Sequence, residues 1–199
     1  MFEPGDGDLA AEKSAIRSEV LAARRALTQP QRSVAGSRLR DIVLSAPETQ
    51  MAGTVAAYLS VGTEPGTRGL VFALWKRGTY VLLPVLRPDG DLDWASYEGP
   101  DSLAPAPHGL LEPAQPRRGV EAITSADLVI VPALAVGQGG ARLGRGGGSF
   151  DRALARVGPA ILTVALLYDG EMRADVPAEP HDVAVRAVAC PTEGICRLG

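Results

Sequence analysis

Asp127-Leu-Val-Ile-Val-Pro132 runs on into Ala133-Leu-Ala-Val-Gly-Gln-Gly-Gly-Ala-Arg-Leu-Gly-Arg-Gly-Gly-Gly-Ser-Phe-Asp151. The stretch opens on an unbroken apolar run, which predicts a strand buried on both faces. Seven of the twelve residues from Gly137 to Gly148 are glycine, so a loop follows the strand. Residues 149–157 then read as a short helix. A buried strand, a glycine loop and a helix form the repeating unit of an α/β sheet, and in such sheets ligands gather outside the C-terminal ends of the strands.

Working outward, the same pattern recurs on both sides. Residues 54–60 (TVAAYLS), 79–85 (TYVLLPV), 161–167 and 183–190 read as further strands, with residues 67–77 a helix stopped by Gly78. Residues 92–98 alternate Leu92, Trp94 and Ser96 against charged neighbours, as an exposed edge strand would. Residues 99–119 carry five prolines (Pro100, Pro105, Pro107, Pro113 and Pro116) and read as a long surface loop without regular structure. Ahead of the sheet, Leu9, Ile16, Val20 and Leu27 recur at helical spacing after a candidate N-cap, Asp8. Thr28-Gln29-Pro30 ends that helix, and residues 31–44 form a second with Val34, Leu39, Ile42 and Val43 on its apolar face. Residues 1–8 are polar and glycine-rich and are expected to be disordered. The fold class expected is α/β, a single-domain three-layer sandwich around a largely parallel sheet, with N-terminal helices.

Composition narrows the function. The 199 residues are 46% hydrophobic and 22% charged, the range of an ordinary soluble domain. The net charge of −3 argues against nucleic-acid binding, which needs a basic surface. No apolar run is long enough for a membrane span and no signal-peptide pattern opens the chain, so a cytoplasmic protein is expected. Cys190 and Cys196 are too few for a disulfide framework. His108 and His181, the only histidines, sit in no zinc motif. Of the 20 basic residues only Lys13 and Lys76 are lysine, so a role that needs a side-chain amine has two candidates.

The glycine loop is the natural place for chemistry. Its backbone amides can close around an anion, and Arg142 and Arg145 bring positive charge to it. Neither the G-x-x-x-x-G-K-[ST] nor the G-x-G-x-x-G pattern is present. Asp151, in the first turn of the next helix, reads either as a carboxylate favoured by the helix dipole or as a magnesium ligand. Asp182, in Pro180-His181-Asp182, is the candidate second ligand.

Arg142-Leu-Gly-Arg-Gly-Gly-Gly-Ser-Phe-Asp151 resembles the G-x-R-L-G-x-G-x-G-Y-Y-D signature of the 5-formyltetrahydrofolate cyclo-ligase (methenyltetrahydrofolate synthetase) family. Four further segments resemble that family in order: Lys13-Ser-Ala-Ile-Arg17, Tyr58-Leu-Ser-Val-Gly-Thr-Glu64-Pro-Gly-Thr67, His108-Gly-Leu-Leu-Glu-Pro113, and Pro180-His181-Asp182. The resemblance implies ATP- and Mg²⁺-dependent conversion of 5-formyltetrahydrofolate to 5,10-methenyltetrahydrofolate, with release of ADP and phosphate. By the same resemblance Lys13, Arg17, Arg142, Gly144, Arg145, Gly146, Gly147 and Gly148 hold the nucleotide. Asp151 and Asp182 hold Mg²⁺, Arg145 and Asp151 carry catalysis, and Glu64, His108, Ser149 and Phe150 contact the folate.

Departures fall on the folate side, where Ser149-Phe150 replaces Tyr-Tyr and His108 an aromatic residue; Arg186 replaces a second aspartate. Two other readings share the phosphate end: a nucleotide- and folate-binding paralogue with weak or no turnover, and an ATP-dependent enzyme of the same fold on another substrate. The partners expected are 5-formyltetrahydrofolate and ATP, with neither nucleic acid nor membrane, in a monomer or small homo-oligomer.

Overall fold

The computed structural model describes residues 6–198, the side chains of residues 6, 7 and 108 excepted. The disorder expected for residues 1–5 and the folate contact expected of His108 therefore lie outside the described residues. Residues 6–8 are not disordered, because they form the first turn of helix α1 (Asp6–Ala26), and Asp8 sits inside the helix rather than capping it. Acidic residues in a first turn suit the positive end of a helix.

Helix α2 (Gln29–Ser45) starts before Pro30 rather than after it, since proline is tolerated in a first turn. Thr28 Oγ1 accepts from the Gln31 backbone N–H at 3.4 Å, and Gln31 Oε1 accepts from the Thr28 N–H at 2.7 Å. The two contacts form a reciprocal cap. Leu39 and Val43 are buried, whereas Val34 is exposed, so the apolar face is narrower than expected.

The chain continues through α3 (Pro47–Met51), β1 (Thr54–Ala56), α4 (Arg68–Lys76), β2 (Tyr80–Leu86), β3 (Leu92–Ser96), β4 (Leu103–Pro105) and β5 (Leu111–Pro113). After these come β6 (Leu128–Pro132), β7 (Ala135–Gly137), β8 (Arg142–Leu143), α5 (Ser149–Leu154), β9 (Leu162–Leu166), β10 (Met172–Arg173), β11 (Ala187–Cys190) and β12 (Gly194–Arg197). A seven-stranded sheet runs β12-β11-β9-β6-β1-β2-β3. Its five inner strands are parallel, and each edge strand pairs antiparallel. From β1 the chain winds outward to β3, then returns to β6 and winds the other way. The crevice between β1 and β6 is thus the topological switch point where α/β sheets bind ligands.

Both faces of the sheet are buried, which gives the three layers. Val55, Leu128 and Val164 meet Leu39, Val43, Leu70 and Leu74 of α2 and α4 on one face. On the other face Ala56, Val129 and Ala165 meet Ile123, Ala153 and Leu154. Helix α1 instead lays Ile16 and Val20 on Leu134, Ala135, Leu143 and Val176, over a small sheet β10-β7-β8 beside the switch point. The fold is a mixed α/β sandwich, as the sequence implied. None of the described helices is long and apolar enough to cross a membrane.

Several element readings need correction. Strand β1 stops at Ala56 although burial runs on to Tyr58, because the chain leaves the sheet there while still buried. Strand β3 is an edge, but all five of its residues are buried. Residues 99–119 are not structureless: β4 and β5 pair antiparallel, and the Glu112 carboxylate accepts the Leu86 N–H at the end of β2, at 2.9 Å. The last parallel strand begins at Ala187, because Val185 first donates its N–H to Gly140 O at 2.9 Å. Helix α5 is shorter than residues 149–157.

Candidate active site

The glycine-rich segment does two different jobs. Its first half is a tight β-hairpin: Gly137 N–H reaches Ala141 O and Gly140 N–H reaches Gly137 O, both at 2.9 Å. Gly140 has a φ of +84°, and a Cβ there would overlap the Val185 carbonyl oxygen, so no other residue fits. The second half, Gly144 to Gly148, faces a cavity of about 320 Å³. That volume is in the range of small-ligand sites.

The cavity opens at the switch point and gathers nearly every site residue expected from the sequence. Lys13, Arg17, Glu64, Arg142, Gly144, Arg145, Gly146, Gly147, Gly148, Ser149, Phe150, Asp151 and Asp182 all line it. They come from α1, the loop after β1, β8, the glycine loop, α5 and the segment before β11. The proline-rich segment adds Leu110, Leu111 and Glu112 as a further wall.

Each expected cation already holds a partner. Arg142, buried, donates through Nη2 to Asp151 Oδ1 at 2.6 Å. Lys13, also buried, donates to Asp182 Oδ2 and Glu179 Oε2, each at 2.6 Å. Burial by itself would lower the Lys13 pKa, but the hydrogen bonds and charges of Asp182 and Glu179 outweigh it and raise it. Burial would likewise raise Asp182, and the Lys13 ammonium with the Glu179 N–H pulls it below the usual carboxylate range instead. Arg17 Nε donates to Gly144 O at 3.0 Å, tying α1 to the glycine loop. Exposed Arg145 reaches Glu64 Oε1 at 3.2 Å across the cavity mouth.

The carboxylates suit a hard cation such as Mg²⁺, which prefers oxygen ligands and one or two carboxylates. Asp151 Oδ1 lies 3.5 Å from the backbone N of Val183, the residue after Asp182, so both acids share one wall. Asp151 Oδ2 and Asp182 Oδ1 have no hydrogen bond among the described residues. Glu179, His181 and Asp182 also bring one ligand atom each within 4.8 Å of one another.

On the opposite wall, Glu64 Oε2 accepts the Val61 N–H at 2.8 Å, and the Tyr168 hydroxyl donates to the Glu64 carbonyl at 3.3 Å. Phe150 divides its ring between the cavity and both cores, meeting Tyr58 edge-on at 6.3 Å between centroids. It is therefore a packing residue as well as a wall.

Arg24, Tyr58 and Glu179 also line the cavity and went unnoticed as site residues in the sequence. A signal for Arg24 was present, because it follows Lys13, Arg17 and Val20 along one inward helical stripe.

The 5-formyltetrahydrofolate cyclo-ligase family model matches residues 9–191. Over 192 residues the chain is 40% identical to the 5-formyltetrahydrofolate cyclo-ligase of Mycolicibacterium smegmatis, covering 94% of this chain and 97% of that one. It is 33% identical over 177 residues to the Escherichia coli protein of the same name, covering 85% and 95%. The structure of the Aquifex aeolicus 5,10-methenyltetrahydrofolate synthetase superposes with a TM-score of 0.81 at 26% identity, covering 94% of this chain and 92% of that one. This chain belongs to the 5-formyltetrahydrofolate cyclo-ligase family.

Proposed function

We propose that the cavity converts 5-formyltetrahydrofolate to 5,10-methenyltetrahydrofolate at the expense of ATP, with magnesium. One observation carries the reading: a single cavity has a cationic glycine wall with two carboxylates on one side and Glu64 on the other. Phosphoryl transfer is mostly positioning and charge stabilisation, which such a wall supplies.

In this reading the formyl oxygen attacks the γ-phosphorus and the bond to the β-phosphate bridge oxygen breaks, releasing ADP. N10 then attacks the activated carbon, loses its proton, and phosphate departs with the former formyl oxygen. Lys13 and Arg142 leave their carboxylates to meet phosphate oxygens, and Arg145 swings from Glu64 onto the transferring group. Asp151 and Asp182 would then be free to hold magnesium, which would supply positive charge to neutralise the phosphates. Glu64, shielded from water, accepts from the donor edge of the pterin.

Turnover is expected to need ATP and a divalent cation together, since each set of ligands neutralises the other until both arrive. Purified protein incubated with 5-formyltetrahydrofolate, ATP and Mg²⁺ should develop the methenyl chromophore. Undiminished formation in excess chelator would overturn the metal assignment, and no chromophore under any of these conditions would overturn the function.

Glu64→Gln should raise the folate KM about ten- to a hundredfold and leave the ATP KM within about twofold. A charge-assisted hydrogen bond in a shielded site is worth about 1.5–3 kcal/mol. Equal loss for both ligands would make Glu64 a residue that only shapes its loop.

A further inference from the structure

Buried polar atoms almost always have hydrogen-bond partners, and those without one call for an explanation. Two such atoms belong to side chains near Glu64. Among the described residues the Tyr58 hydroxyl and Arg24 Nη1 have no hydrogen-bond partner, in side chains 3% and 1% exposed. Both residues line the cavity.

Tyr58 is held firmly. Its ring meets Phe150 edge-on, and its carbonyl accepts from Thr67 Oγ1 at 2.7 Å, closing the loop that carries Glu64. Arg24 is fixed by Nε and Nη2 donating to the two Glu171 oxygens at 2.6 and 2.7 Å, and by Nη2 donating to Ala133 O at 2.7 Å. Its third nitrogen is left over. The nearby Glu64 charge adds to burial in keeping the Tyr58 hydroxyl protonated, so it is a standing donor.

The ligand implied by the proposed function is complementary to this arrangement. Along one edge the reduced pterin ring offers an amino group and a ring N–H, both donors, followed directly by a carbonyl oxygen. A carboxylate satisfies the two donors and leaves the carbonyl needing a donor of its own.

We infer that the Tyr58 hydroxyl, backed by Arg24 Nη1, is a substrate-binding group that donates to the pterin ring carbonyl while Glu64 accepts from the adjoining N–H groups. The inference rests on the folate reading of the cavity and names the residues that would read the ring's donor–donor–acceptor order. A ring carrying a donor in place of the carbonyl would face Arg24, which can only donate.

Tyr58→Phe tests it, since the ring and its contact with Phe150 remain. The folate KM should rise roughly tenfold, because the ring carbonyl is then buried short of a donor, while the ATP KM stays within about twofold. The ligand-free melting temperature should hold or rise, as an unpaired buried hydroxyl is removed. The rise in melting temperature produced by 5-formyltetrahydrofolate alone should shrink, and this readout needs no turnover. An unchanged folate KM with an unchanged thermal shift would overturn the inference. So would a fall in ligand-free melting temperature with both KM values rising together, which marks a structural hydroxyl. If the wild-type chain forms no methenyl product yet 5-formyltetrahydrofolate still shifts its melting temperature, the proposed reaction fails and the Tyr58 contact is judged on that shift. With no shift in the wild type, the contact falls as well.

Discussion

Asp151→Asn is expected to lower kcat by at least about a hundredfold in a protein that still folds. Losing one electrostatic contributor in a water-poor site typically costs two to three orders of magnitude in rate. Asparagine keeps the shape and can still accept from Arg142 Nη2, now 2.6 Å from Oδ1. The side chain is on the wall that also carries Asp182, so the charge removed is one that a divalent cation would use. Steady-state rates across a magnesium titration, with melting curves as the control, separate the roles. A metal ligand predicts a lower kcat together with a higher magnesium requirement. A carboxylate that only complements the α5 dipole would cost a few tenths of a kcal/mol in stability and leave kcat within about threefold.

How much of this was legible in the sequence differs between elements for physical reasons. The parallel strands were readable because both sheet faces are buried, which turns a strand into a continuous apolar run, as in residues 128–131. The same rule over-extended β1, since Tyr58 is as buried as a strand residue while serving the cavity. Prolines hid the β4–β5 hairpin, because Pro105 and Pro113 sit at its ends, where a missing N–H costs little. The site was readable through its glycines and the resemblance at Arg142–Asp151 and Lys13–Arg17. The pairing of cation with acid was not, because Lys13 and Asp182 are 169 residues apart and meet only through the fold. Arg24 was missed for a related reason: an arginine on a helix is usually solvated, and nothing local announces Glu171 as its partner.

That same pair sets the largest stability effect expected. Arg24 joins α1 to the end of β6, gripping Glu171 with two nitrogens and Ala133 O with one of them. Glu171 Oε2 also accepts the Tyr168 N–H at 2.8 Å, so the carboxylate is fully engaged. Glu171→Leu would leave a guanidinium 1% exposed without its counter-charge. Breaking one side of a buried pair costs about 3–5 kcal/mol, which in a chain of this size lowers the melting temperature by about 6–20 °C. The double variant Arg24→Met with Glu171→Leu should recover most of that loss, because removing both charges removes the uncompensated one. Stability and function should then part company. The recovered protein lacks the Arg24 charge near Tyr58 and has lost the tie between Ala133 and the helix that carries Lys13 and Arg17, so KM values should stay raised although the melting temperature returns. A single variant that melts within about 2 °C of the wild type would show that α1 is held without this pair, by Ile16, Val20 and the contacts of Lys13 and Arg17. A double variant no more stable than the single one would show that the loss comes from packing around residue 171 rather than from charge.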